Sequence, residues 1–177
     1  FGIKNYNNIL ELKKSHFKNY LFIISTPPES HFKILNFLLK NKCMIAVEKP
    51  AIINRGQFLS IKNNYNLNKI FVIETFYYKL SKIYNKLLLD WNKYKAQIKN
   101  IEIVFLIPSF PENTFRSYKE YWTSYILDIG CYPIDILNSM NLKLKKPIIK
   151  IYRKHIKINF IDAKIKINIK IGIGEYT

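Results

Sequence analysis

Three short stretches carry the side chains from which a reaction could be assembled. The first is Ser25-Thr26-Pro27-Pro28 with His31, directly after an apolar run. A proline pair there fixes the exit of the chain and lets backbone groups face a flat ligand. A histidine at the start of a helix lies near an amide end that favours anions. The plainer reading is a stiff turn with a first-turn histidine. The second stretch is Glu48-Lys49-Pro50, ending another apolar run. A lysine held there could donate to a carbonyl or a ribose hydroxyl, and its charge favours an ionised neighbour; a solvated turn is the plainer reading. The third is Asp128-Ile129-Gly130-Cys131-Tyr132-Pro133-Ile134-Asp135. Asp128 and Tyr132 are four apart, one above the other on a helix face, and Asp135 follows on a similar face. Gly130 inside a helix costs about 1 kcal/mol against Ala, tolerable where something approaches the backbone closely. A carboxylate bonded to a tyrosine in an ordinary packed helix reads equally well.

The elements that must position these groups follow from the apolar pattern. Tyr20-Leu21-Phe22-Ile23-Ile24 is a short continuous apolar run and reads as a strand buried on both faces. Phe32, Leu35, Leu38 and Leu39 recur at helical spacing after Glu29-Ser30, to about Lys42. Met44-Ile45-Ala46-Val47 reads as a second strand, residues 55–64 as a helix, and Ile70-Phe71-Val72-Ile73 as a third strand. Strand, helix, strand, helix, strand with short connections implies a parallel sheet with right-handed crossovers. In such sheets ligands lie beyond the carboxyl ends of the strands, where both turns fall.

The second half has another pattern. Residues 80–96 read as an amphipathic helix with Ile83, Leu87, Leu88 and Trp91 on one side, and 101–107 as a strand. Residues 109–119 read as a polar, aromatic-rich loop and 121–140 as a long helix. From Ile148 the chain alternates, most clearly where Ile165, Ile167, Ile169, Ile171 and Ile173 interleave with Lys166, Asn168 and Lys170. The expected organisation is a parallel α/β part over 1–74 and an α+β part over 75–177.

Composition bears on the partner. With 29 Lys+Arg against 12 Asp+Glu the formal charge is +17, which first suggests an anionic polymer or surface. Yet 26 of the 29 are Lys, and only Arg55, Arg116 and Arg153 are Arg. Ile (31), Lys (26) and Asn (19) supply 76 of the 177 positions while Ala supplies four. AT-rich codons encode those three types, so compositional drift accounts for the charge without a partner. Forked phosphate and base contacts need Arg, and a basic binder would need lysines and aromatics on one face; the lysines are instead spread along the chain, mostly on polar helix and strand faces, so a nucleic-acid partner is not expected. Apolar residues at 49% exclude a disordered chain, and no apolar run approaches the ~18 residues of a membrane span. No charged segment precedes an apolar one near Phe1, so a signal peptide is not expected in this stretch. Cys43 and Cys131 are too few and too far apart for a disulfide framework, which makes a reducing, cytoplasmic setting the expectation. His16, His31 and His155 lack metal-ligand spacing, with each other or with either cysteine.

In order and spacing, the three stretches resemble the Gfo/Idh/MocA family of NAD(P)-dependent oxidoreductases. Ile-Ile-Ser-Thr-Pro-Pro-x-x-His is followed by Val-Glu-Lys-Pro, with Glu48 22 residues past Thr26; Asp-x-Gly-x-Tyr-x-x-Asp begins 79 residues past Lys49. The resemblance covers nearly the whole chain. It implies the later part of a Rossmann domain, then an α+β domain with an open, largely antiparallel sheet, and a substrate held between them. NAD or NADP is the implied cofactor. Ser25, Thr26, Pro27 and His31 fall on the family's cofactor-contacting turn. Glu48 and Lys49 match its Glu-Lys-Pro, where the lysine contacts both nicotinamide ribose and substrate. Asp128 matches its helix aspartate. Tyr132 falls where many members have His and the sugar-oxidoreductase branch has Tyr. Arg116 corresponds to an Arg that contacts cofactor or substrate from the preceding loop.

The implied reaction moves a hydride between the nicotinamide and a hydroxyl or keto carbon of a sugar, sugar-nucleotide or cyclitol. Tyr132 handles the proton and Asp128 orients the substrate hydroxyl. A free tyrosine titrates near pH ~10, and the Lys49 charge would favour its phenolate. The resemblance also implies a homo-oligomer, formed through a sheet whose strand over 164–173 could otherwise be left as an exposed apolar edge.

The sequence departs from the family in places. Gly2 is the only glycine before Gly56, so no Gly-rich phosphate loop is present. Trp122-Thr123-Ser124 stands where many members are Gly-rich, and Tyr78-Lys79 where Tyr-Arg is common. The expectation is that the first βα units and the last strands of the family's plan lie outside these residues, and that this chain alone binds NAD(P) poorly. The alternative to an enzyme is a non-catalytic relative that binds a partner.

Overall fold

The computed structural model describes residues 6–12, 14–68, 71–108, 125–152, 155–162 and 164–174. The chain divides into two compact units, Phe1–Phe76 and Tyr77–Thr177. In the first, α1 (Lys14–Asn19), β1 (Leu21–Ile24), α2 (Pro28–Lys40), β2 (Met44–Glu48), α3 (Arg55–Asn68) and β3 (Val72–Thr75) alternate. The strands form a parallel sheet in the order β1-β2-β3, the parallel α/β arrangement expected. Val72 and Thr75 bound the third strand, so it begins later than the apolar run suggests and ends with Thr75 opposite Glu48.

Pro28 stands in the first turn of α2, where its missing N–H costs nothing. The helix closes where Lys42 takes a positive φ of 58° and Cys43 N–H reaches the Leu38 carbonyl (3.1 Å). Leu35, Leu38 and Leu39 of α2 are buried against Ile24, Ile45 and Val47, with Phe17 of α1 in the same cluster. Burial of β1 on both faces is not what forms. Consecutive right-handed crossovers in one direction place α2 and α3 on the same side of the sheet. Leu21 (51% exposed), Ile23 (68%) and Ile73 (47%) are left on the other side.

The second unit begins with a 3₁₀ turn, Tyr77–Leu80, and α4 (Lys82–Tyr94), followed by β4 (Asn100–Ile107) and α5 (Tyr125–Ser139). Three strands end it: β5 (Ile148–Ile151), β6 (His155–Asp162) and β7 (Ile165–Ile173). The sheet order is β4-β7-β6-β5, with β4 parallel to β7 and the other two pairings antiparallel. This is the open, largely antiparallel sheet expected. Its inner face places Ile167, Ile169 and Ile171 beside Ile156, Ile158 and Phe160, in one cluster with Trp91, Ile129 and Leu137 of the helices. The Trp91 indole donates to the Met140 carbonyl (3.1 Å), tying α4 to the end of α5.

Two expectations about this unit are corrected. Ile83 is 83% exposed, because the packed side of α4 is set by Leu88 and Trp91, about a quarter-turn away. The alternating isoleucine strand is no edge: β7 is hydrogen-bonded on both sides, and the outer strands are β4 and β5. Among the described residues no helix is long and apolar enough to cross a membrane.

Candidate active site

In the first unit, Ser25, Thr26 and Pro27 are exposed just beyond the carboxyl end of β1. Glu48, the last residue of β2, and Lys49 directly after it are half-buried, and the Lys49-Pro50 peptide is cis. The turns after β1 and β2 are laced together by His31, which is only 1% exposed. Its Nε2 lies 2.5 Å from the Thr26 carbonyl and its Nδ1 2.9 Å from the Pro50 carbonyl. Both partners are carbonyl acceptors, so the ring nitrogen that carries the N–H, set by the tautomer, is the donor to its carbonyl. His31 thus ties the turn after β1 to the turn after β2.

The Ser30 hydroxyl sits between Thr26 Oγ1 (2.6 Å) and the Pro27 carbonyl (2.8 Å), stiffening the first turn. Glu74, on β3, accepts from Ala51 N–H at 2.8 Å, and Thr75 Oγ1 donates to the Val47 carbonyl at 3.2 Å. Glu74 was not among the residues the sequence singled out. Its role depends on β3 lying beside β2, which no local pattern announces.

In the second unit, α5 carries Asp128, Tyr132 and Asp135. Asp128 is 4% exposed, in the first turn of the helix. Pro133 stands inside α5, where it withholds a backbone N–H from the helix ladder one turn after Ile129. The Tyr132 ring stacks on Phe105 of β4 (5.1 Å between centroids, 9° between planes) and meets the Tyr78 ring nearly edge-on (5.7 Å, 63°). Tyr78 also meets Tyr84 edge-on at 5.2 Å. These contacts locate the Tyr132 ring from two sides, one on the sheet and one on the turn before α4.

Behind that ring lies a second polar group. The Tyr78 hydroxyl donates to Asp135 Oδ2, and Lys79 Nζ is 2.8 Å from Asp135 Oδ1. Burial, then the bond to Asp135 and its charge, raises the Tyr78 phenol far above its ordinary range. Tyr78 is thus held as a donor. Asp135 and Tyr78-Lys79 each stood out in the sequence, but nothing there joined them.

The fold is that of a set of solved dehydrogenases and reductases. The chain superposes on myo-inositol 2-dehydrogenase from Lactobacillus plantarum with a TM-score of 0.75 at 10% identity, covering 95% of this chain and 55% of that one. It matches the Thermus thermophilus WlbA (WbpB) dehydrogenase, solved with NAD and UDP-GlcNAcA, with a TM-score of 0.72 at 10% identity, covering 86% and 50%. It matches KijD10, a 3-ketoreductase from Actinomadura kijaniata solved with NADP and TDP-benzene, with a TM-score of 0.69 at 17% identity, covering 86% and 50%. The chain spans about half the length of the solved chains it matches. No family model and no curated protein matches the sequence. The architecture is the one the Gfo/Idh/MocA resemblance implies.

The residues present suit one half of a dinucleotide. The open turn at Ser25-Thr26-Pro27 and the half-buried Glu48-Lys49 put polar groups at the carboxyl edge of the parallel sheet, where such a ligand binds. The sequence holds no Gly-x-Gly-x-x-Gly run that could cradle a pyrophosphate. Arg116 lies outside the described residues, as do the loop over 109–119 and the first four residues of the helix expected over 121–140.

Proposed function

We propose that this chain belongs to an NAD(P)-dependent oxidoreductase acting on a hydroxyl or keto carbon of a sugar, sugar-nucleotide or cyclitol. The observation that carries the reading is the setting of Tyr132 on α5. Its ring is fixed by Phe105 and Tyr78 on a fold shared with solved dehydrogenases. The neighbours solved with NAD or NADP support the cofactor class.

A bound nicotinamide would supply or accept the hydride. The chain's own residues do the rest. Ser25, Thr26 and Pro27 offer the exposed edge on which the nicotinamide half rests, with His31 holding that turn in place. Glu48 and Lys49 contact the ribose, and Lys49 also meets the substrate. Tyr132 gives or takes the proton on the substrate oxygen, assisted by the Lys49 charge, while Asp128 orients the reacting hydroxyl. Tyr78, committed to Asp135, takes no part in the transfer. Arg116 is proposed as a further contact to substrate.

The test uses the longest protein that contains these 177 residues. Nicotinamide absorbance is followed with a panel of sugars, sugar-nucleotides and cyclitols. Tyr132→Phe should lower kcat by about 100-fold or more, as loss of a general acid–base does, with little change in cofactor affinity. Full turnover in Tyr132→Phe, or in Lys49→Ala, would remove these roles.

A further inference from the structure

The peptide group that follows Lys49 is gripped at both ends by side chains. The Pro50 carbonyl lies 2.9 Å from His31 Nδ1, and the Ala51 N–H donates to Glu74 Oε1 at 2.8 Å. The first grip comes from α2 and the second from β3. They differ in setting. His31 and Pro50 are buried, whereas the bond between Ala51 and Glu74 lies at the surface. Glu74 has no part in the proposed chemistry.

The backbone just before Lys49 is fixed as well. Glu48 is in parallel register with Thr75, and Thr75 Oγ1 donates to the Val47 carbonyl at 3.2 Å. Two consecutive residues of β3 thus secure the chain on either side of Lys49, Thr75 before it and Glu74 after it. His31 also meets the Thr26 carbonyl at 2.5 Å, so the turn after β1 and the peptide after Lys49 share one frame. A lysine is a compact charge on a flexible four-carbon stem. Where its ammonium can arrive is decided first by the backbone from which the stem starts. A single surface bond to a backbone N–H adds little to stability, yet it selects one geometry of the turn.

We infer that Glu74 is a positioning residue for Lys49. By accepting from the Ala51 N–H it fixes the peptide after Lys49, and with it the point from which Lys49 reaches the nicotinamide ribose and the substrate. The inference rests on the oxidoreductase reading for what Lys49 touches, and not for the grip itself. Glu74 acts here as an acceptor, so its charge is not what the role needs. Glu74→Gln keeps an acceptor oxygen and should serve; Glu74→Ala removes it.

The experiment uses the longest protein that contains these 177 residues. Binding of NADH and NADPH is followed by nicotinamide fluorescence, together with the ¹H–¹³C signal of Lys49 Cε, assigned with Lys49→Arg. Glu74→Ala should move the Lys49 signal and weaken binding about fivefold, a fraction of what losing a hydrogen bond to a charged group costs. Glu74→Gln should leave the signal in place and the affinity within about twofold of wild type. In a Lys49→Ala background Glu74→Ala should cost nothing further, because a residue that acts through Lys49 then has nothing left to position. A merely structural residue would weaken binding equally in both backgrounds, so additive losses would overturn the inference. A Lys49 signal and an affinity unchanged in Glu74→Ala would do the same. Equal damage from Glu74→Gln and Glu74→Ala would assign the effect to the charge and also overturn it. If wild type binds neither NADH nor NADPH, the oxidoreductase reading falls, while the Lys49 signal in the three proteins still decides whether Glu74 positions it.

Discussion

Tyr78 and Asp135, 57 residues apart in the sequence, meet through a hydroxyl–carboxylate hydrogen bond, and the Tyr78 ring that makes it also braces Tyr132 edge-on. Asp135 accepts from Lys79 as well, so one carboxylate anchors the turn before α4 to α5. Tyr78→Phe keeps the ring and loses the bond. It should cost about 1–2 kcal/mol of stability, read from denaturant midpoints, because Asp135 loses one of its donors. Tyr78→Ala should cost more and should also disorder the Tyr132 ring, visible as averaging of its aromatic NMR signals. If Tyr78→Phe is neutral, the hydroxyl does not anchor α5.

His31 joins the turns after β1 and β2 from a site that is 1% exposed. His31→Ala leaves a cavity and a backbone carbonyl without its donor, and should destabilise the first unit by about 2–4 kcal/mol. His31→Gln can still donate to one of the two carbonyls and should recover part of that loss. Thermal unfolding of the three proteins ranks them; a His31→Ala midpoint equal to wild type would show that the tie contributes nothing.

How much of this was legible in the sequence differs between elements. The alternation over 165–173 carried both the strand and its buried face, because a period of two has one reading once Ile and Lys interleave. The helix over 82–94 was legible as a helix but its packed side was not. Ile83, Leu87, Leu88 and Trp91 all satisfy an amphipathic pattern, and only the partner surface selects Leu88 and Trp91. The open side of β1 escaped notice for a related reason. Continuous apolar runs mark strands that can be covered twice, while the direction of the crossovers decides which side is covered. For the candidate site, Asp128, Tyr132 and Asp135 are placed by helix spacing alone. Phe105 under Tyr132, Tyr78 on Asp135 and Glu74 on Ala51 are long-range pairings that no local spacing encodes.

His155 lies near Lys157 and Lys170, which are paired across β6 and β7, and burial, then Lys170 and Lys157, lower its pKa below the usual 6.5. The unfolded ring takes up its proton near that usual value, while the folded ring does so at lower pH. Between the two values the unfolded state binds more protons, so stability falls as pH drops through that window and recovers as pH rises. A ¹H–¹³C titration of the ring should give a midpoint below 6.5 that moves upward in Lys157→Gln/Lys170→Gln and in high salt. An unchanged midpoint in that variant would mean that burial alone sets it.

The strand most exposed to unwanted pairing is β5. It is an outer strand, and Ile148, Ile149 and Ile151 are 62%, 55% and 76% exposed. An apolar outer strand with a free row of backbone groups templates association with another chain, and charged side chains are the usual protection. Lys150 supplies one such charge. Ile151→Lys adds a second at the position with the most exposure, where little packing is lost. It should leave the unfolding midpoint within about 0.5 kcal/mol of wild type, as surface changes do, and should slow the growth of light scattering on storage. Ile149→Lys tests whether exposure alone governs the outcome, since Ile149 and Ile151 are both in register with buried residues, Ile158 and Ile156, and differ in being 55% and 76% exposed. If both variants aggregate as fast as wild type, β5 is not the edge through which the chain associates.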